Sequence, residues 1–226
     1  MDIRGLLVRK AFHIVGAVLL AVPLFVDVSV SIYYAALALV AGVFYSIQVK
    51  RPQLLLDLRQ DIFRSLENVF DNLDRIVPVG RADLKLQYDL LLSSIEKAIE
   101  AAERDYEKRG GYLGLLMGAV GVLISYNVFG ASHLAPAVVG LAVYDTFSAL
   151  VGTALGKHKL PGSNATFEGI LGGSAPTLAV LTALGYKPLV SLIITLFIIP
   201  AEAYGIEDNL VVPIAASAAA YLAGFI

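Results

Sequence analysis

Residues 111–156 read GYLGLLMGAVGVLISYNVFGASHLAPAVVGLAVYDTFSALVGTALG, two apolar runs parted by a polar break at 127–133 and carrying one formal charge, Asp145. Runs of about 20 apolar residues are long enough, as helix, to cross the roughly 30 Å hydrocarbon layer of a bilayer. The stretch therefore reads as two antiparallel transmembrane helices. Outward from it the same pattern recurs, giving seven expected spans at 5–27, 29–49, 111–130, 133–156, 166–185, 187–204 and 208–226. A spanning β-barrel would need short strands of alternating polarity, and none is visible, so the expected class is all-α and polytopic. With 58% of residues apolar and only 16% charged, a water-soluble domain is excluded. The first apolar segment follows Arg9 and Lys10, but no small-residue cleavage pattern ends it, so it reads as a retained span and not a secretory signal.

Charge is distributed very unevenly. Residues 50–109 hold 11 of the 17 Lys and Arg and 12 of the 19 Asp and Glu. Within that segment Leu55, Leu58, Ile62, Leu66, Val69, Leu73 and Ile76 are spaced by three and four, a heptad seam that Pro78, Val79 and Gly80 interrupt. A second pattern follows through Tyr88, Leu91, Ile95, Ala98 and Ala102. The expected organisation is thus helices one and two in 1–49, an antiparallel helical hairpin in 50–110, and helices three to seven in 111–226. Such a hairpin serves as a structural arm, as a seam for a homo-oligomer, or as a membrane-surface helix; its near-balanced charge disfavours the last. The remaining cations are Arg4, Arg9 and Lys10 before the first span, Lys157 and Lys159 after the fourth, and Lys187. The positive-inside rule then places the N-terminus and the hairpin in the cytoplasm. A net charge of −2 with no basic stripe gives no reason to expect nucleic acid, and the absence of Cys excludes disulfides and thiolate metal sites.

This orientation gathers Asp145, Glu168, Glu202, Glu207 and Asp208 in the cytoplasmic half of the membrane or at its rim. An acid deep in a span is costly unless paired or solvated, so Asp145 is a functional candidate. Ala149, Gly152 and Gly156 follow it at spacings of four, three and four, leaving one helix face bare for another helix or for a polyphosphate. The loop GKHKLPGSNATFEG offers Lys157 and Lys159 as cations, Thr166 as a helix cap, and Glu168 and Gly169 at the opening of the fifth span. A glycine-bearing loop entering a helix N-terminus favours anions, and an acid there makes sense if a divalent cation lies between. The lysines also serve as positive-inside anchors, and Glu168 also suits a helix N-terminus. Asp208 and Asn209 precede the last apolar segment, where an N-cap explains them equally well. Glu202 is at the end of a span, where the helix dipole disfavours an acid. His13 follows Arg9 by one helical turn. Carboxylates, cations and helix termini at one rim are what Mg²⁺-dependent phosphoryl transfer to a membrane lipid requires.

Four motifs in order carry a resemblance: Arg-Lys-x-x-His at Arg9, Lys10 and His13; Asp145 with Ala149, Gly152 and Gly156; Thr-x-Glu-Gly at Thr166, Glu168 and Gly169; and Glu202 with Asp-Asn-x-x-x-Pro at Asp208, Asn209 and Pro213. Together they resemble the family of CTP-dependent lipid kinases that includes dolichol kinase, phytol kinase and yeast-type diacylglycerol kinase, itself related to the phosphatidate cytidylyltransferases. The match covers the first span and everything from about residue 111 onward, and leaves out the hairpin. The resemblance implies CTP as phosphoryl donor, Mg²⁺ as cofactor, and an isoprenoid or glycerolipid alcohol as acceptor, of which a dolichol- or polyprenol-like membrane alcohol is the leading expectation. Asp145, Glu168 and Asp208 would be the Mg²⁺ ligands or the base, Lys157 and Lys159 would meet phosphate, and Asn209 would orient the nucleotide beside Gly152, Gly156, Thr166 and Gly169. Tyr144 and Ala165 stand where the family usually has Gly and Lys, so this chain would rely on Lys157 or Lys159 for phosphate contact, bind a different nucleotide, or have weak or no kinase activity. Such a protein is expected in the cell membrane of a prokaryote or the endoplasmic reticulum of a eukaryote. Cytidylyl transfer yielding a CDP-lipid, and a nonenzymatic transporter or scaffold, are the alternatives.

Overall fold

A computed structural model describes residues 3–50, 61 and 111–224, with side chains from residue 13 onward. The expected hairpin at 50–110 lies outside the described residues but for Lys50 and Asp61. All regular structure among the described residues is helical. The helices are α1 (Ile3–Phe25), α2 (Val30–Lys50) and α3 (Gly111–Phe129), then α4, which runs from Leu134–Val139 through a π-helical turn at Gly140–Tyr144 into Asp145–Leu155. After it come α5 (Phe167–Ala183), α6 (Pro188–Tyr204) and α7 (Asp208–Ala223). These seven coincide with the seven apolar segments. Three stretches, Val30–Lys50, Tyr112–Phe129 and Ala131–Leu155, are long and apolar enough to cross a membrane, while His13–Phe25, α6 and α7 are apolar but shorter.

Local chemistry sets the helix ends. Thr166 caps α5 by accepting the Gly169 N–H at 3.1 Å. At the other end Gly185, at φ +94°, closes a turn in which Gly185 N–H reaches Thr182 O and Tyr186 N–H reaches Leu181 O, so these two helix-end carbonyls find partners. Pro188 then opens α6 at a position that has no use for an N–H.

Chain contacts group Met1–Gly42 with Leu113–Ile226 in one unit and place Val43–Tyr112 in another, where Phe44 stacks on Tyr112. Within the first unit the interior holds Tyr34, Val122, Tyr144, Leu181, Ile194, Ile198 and Val212. Four of its buried hydroxyls are satisfied on backbone carbonyls: Ser125 donates to Gly121 O, Thr177 to Gly173 O, Thr195 to Ser191 O and Ser217 to His133 O, whereas Thr146 Oγ1 is buried without a hydrogen-bond partner. Val18, Leu39, Leu171 and Leu196 instead point outward and are more than half exposed. Apolar side chains spread over the outside suit a lipid solvent and mark a membrane-associated protein. Glycines let the helices close on one another: a Cβ at Gly121 would lie 2.7 Å from Pro213 Cγ and 2.8 Å from Leu210 O, joining α3 to α7. The α4–α5 and α6–α7 pairs have the most extensive interfaces.

Candidate metal centre

Three acids from three helices converge in the first unit. Asp145 follows the π-helical turn of α4, Glu202 lies in the last turn of α6, and Asp208 is the first residue of α7. One carboxylate oxygen of each lies within 4.8 Å of the others, and all three residues are half-buried. Glu202 and Asp208 meet because the chain reverses sharply between them: Gly205 N–H bonds Ala201 O, and a Cβ on Gly205 would fall on that same carbonyl. Asp208 Oδ1 accepts the Asn209 backbone N–H at 2.7 Å and its side-chain amide at 3.1 Å. The Asn209 amide also lies against Gly114 of α3, so this residue ties the acid to a fourth helix.

At this spacing each pair of ionised carboxylates repels by about 3 kcal/mol at an effective dielectric of about 20. Positive charge or protons must offset that. His13 of α1 supplies one contact, its Nε2 lying 2.8 Å from Asp145 Oδ2. The donors are all carboxylate oxygens on half-buried residues, a hard set of the kind that could hold a hard divalent cation.

The acids expected to meet were Asp145, Glu168 and Asp208; the trio that does meet has Glu202 in place of Glu168. Glu168 is turned to its own loop. Its Oε2 accepts the N–H groups of Lys157 and His158 at 3.1 and 3.2 Å, and its Oε1 accepts His158 Nδ1–H at 2.6 Å. The reason is local: the first turn of α5 lies directly beside the loop amides, and unpaired N–H groups attract the nearest carboxylate.

The expected anion site at the start of α5 is likewise filled from within. Phe167 N–H goes to His158 O and Gly169 N–H to Thr166 Oγ1. The small face of α4 lies against the start of α5. Gly152 faces Thr166 Oγ1 and the Gly169 Cα, while a Cβ on Gly156 would meet Gly152 O and Thr166. Gly152, Gly156, Thr166 and Gly169 therefore form a helix-packing seam between α4 and α5. Tyr144, where the resembled family has Gly, is buried against Gly173 of α5.

Lys157 and Lys159 are exposed on a loop that is held at several points. An antiparallel bridge joins Lys159 to Thr166, and Leu160 N–H bonds Ala165 O. Ser163 Oγ donates to Ala203 O at 2.6 Å, and Tyr204 Oη to Pro161 O at 3.2 Å. Both ties land on α6 beside Glu202. Arg9 and Lys10 lie on α1 near His13, and their side chains are outside the described residues.

Sequence reasoning underweighted Glu202, whose unfavourable place at a helix C-terminus was the available signal. The π-helical turn had no signal in the sequence. No protein-family model, curated protein or solved structure matches this chain.

Proposed function

We propose that the chain is a divalent-cation-dependent phosphotransferase of seven membrane spans, N-terminus cytoplasmic, that moves the γ-phosphoryl group of CTP to a polyprenol-like alcohol at the cytoplasmic interface. The convergence of Asp145, Glu202 and Asp208 from three helices is the observation that carries this reading. CTP and the alcohol come from the motif resemblance alone.

In this reading Asp145, Glu202 and Asp208 would hold Mg²⁺, which would supply positive charge to offset that of a triphosphate. Lys157 and Lys159 attract the anionic donor from the loop, which Glu168 and Ser163 keep in place beside α6. The lipid hydroxyl reaches the site laterally from the bilayer. Its oxygen bonds the γ-phosphorus as the bond to CDP breaks, and its proton leaves to a carboxylate of the cluster.

The test is purified protein in lipid nanodiscs with γ-labelled CTP, a series of polyprenols and Mg²⁺. Label should enter the lipid fraction, CDP should accumulate, and EDTA should stop both. Release of pyrophosphate would reassign the reaction to cytidylyl transfer. Absence of Mg²⁺-dependent nucleotide binding would favour a transporter or scaffold.

A further inference from the structure

His13 and the π-helical turn act on Asp145 together. In a regular α-helix the Asp145 N–H would close onto Leu141 O, four residues back. Here it donates to Gly140 O, one residue further, which releases Leu141 O from that partner. His13 Nε2 lies 2.8 Å from Leu141 O and 2.8 Å from Asp145 Oδ2. A backbone carbonyl accepts only, and so does an ionised carboxylate, so the proton resides on Nε2 and is shared between them.

We infer that His13 is a positioning residue for Asp145: its Nε2–H, fixed on the released Leu141 carbonyl, holds the carboxylate oxygen Oδ2 so that the rest of the group faces Glu202 and Asp208. Without this tie the Asp145 side chain would have more than one rotamer open to it, and a cation would have to order it on binding. Because Nε2 already carries a proton, this nitrogen does not receive one from the attacking hydroxyl. The role deepens the cation-dependent reading and rests on it.

The experiment is a Mn²⁺ titration of the full chain in detergent, followed by electron paramagnetic resonance, with His13→Ala and His13→Gln. The glutamine amide supplies an N–H donor of similar reach. His13→Ala should weaken Mn²⁺ binding by about 10- to 100-fold, the range found when a hydrogen bond to a metal ligand is lost. His13→Gln should restore most of the affinity, while both variants melt near the wild type in EDTA. Equal Mn²⁺ affinity in wild type and His13→Ala overturns the inference and leaves the cation site standing. So does a glutamine variant as weak as the alanine one, which would show that the tie between α1 and α4 acts only through packing. A wild type that binds no Mn²⁺ removes the cation site itself, and the inference with it.

Discussion

At Asp145 a single carboxylate is asked to do two opposed things. Within 4.8 Å of Glu202 and Asp208 it raises the electrostatic cost of the unliganded state, and by the same geometry it would attract the proposed cation. Asp145→Asn keeps the volume and removes the charge, so its two effects should have opposite signs. The expected outcome is loss of lipid phosphorylation by at least about 100-fold, as for removal of a group that holds a metal. In EDTA the variant should melt higher than wild type by a few degrees, since one of three like charges is gone. Thermal melts with and without Mg²⁺ check this: wild type should gain stability from the ion and the variant should not. Binding to the folded state alone is what produces such a gain.

Elements bring further consequences. The α4–α5 seam depends on Gly156, where a methyl group would strike Gly152 O and Thr166. Gly156→Ala should therefore cost about 1 to 3 kcal/mol as overpacking, seen as a lower melting temperature with the Mn²⁺ affinity of the remaining folded protein unchanged. The loop between α4 and α5 behaves differently. Glu168→Gln replaces an acceptor of three N–H groups by an amide whose nitrogen faces donors, so the loop should loosen while the acid trio stays intact. A rise in KM for nucleotide of about 10-fold, with the Mg²⁺ dependence of kcat unaltered, is the expected kinetic signature. A loss of Mg²⁺ dependence instead would return Glu168 to the ion-binding group.

For the molecule as a whole, the proposal of seven spans puts the acid end and the Gly185 turn on opposite sides of the bilayer. The native chain has no Cys, so a single introduced thiol is the only one present. Ile206 projects from the α6–α7 turn almost fully exposed, and Lys187 is exposed at the far end of α6. In right-side-out vesicles, Lys187→Cys should react with a membrane-impermeant maleimide, and Ile206→Cys should react only after the membrane is opened. Labelling of both from one side would overturn the topology.

Helical class and the positions of the seven helices among the described residues were legible in the sequence, because a long apolar run that satisfies its own backbone is a property of consecutive residues. Asp145 as a candidate was legible for the same reason, as the one charge in the 111–156 stretch. Which acids meet was not. Glu202 and Glu168 lie on opposite sides of the α5–α6 hairpin in sequence, and both stand at helix ends near the same rim. Only packing decides that the reversal at Gly205 folds Glu202 onto Asp208 while the loop amides capture Glu168. Helix-face identity was similarly ambiguous at Gly152 and Gly156, since a bare face suits a neighbour helix or a ligand until the neighbour is seen. Spacing fixes what a residue can present; tertiary contact fixes what it meets, since that depends on partners far away in the chain.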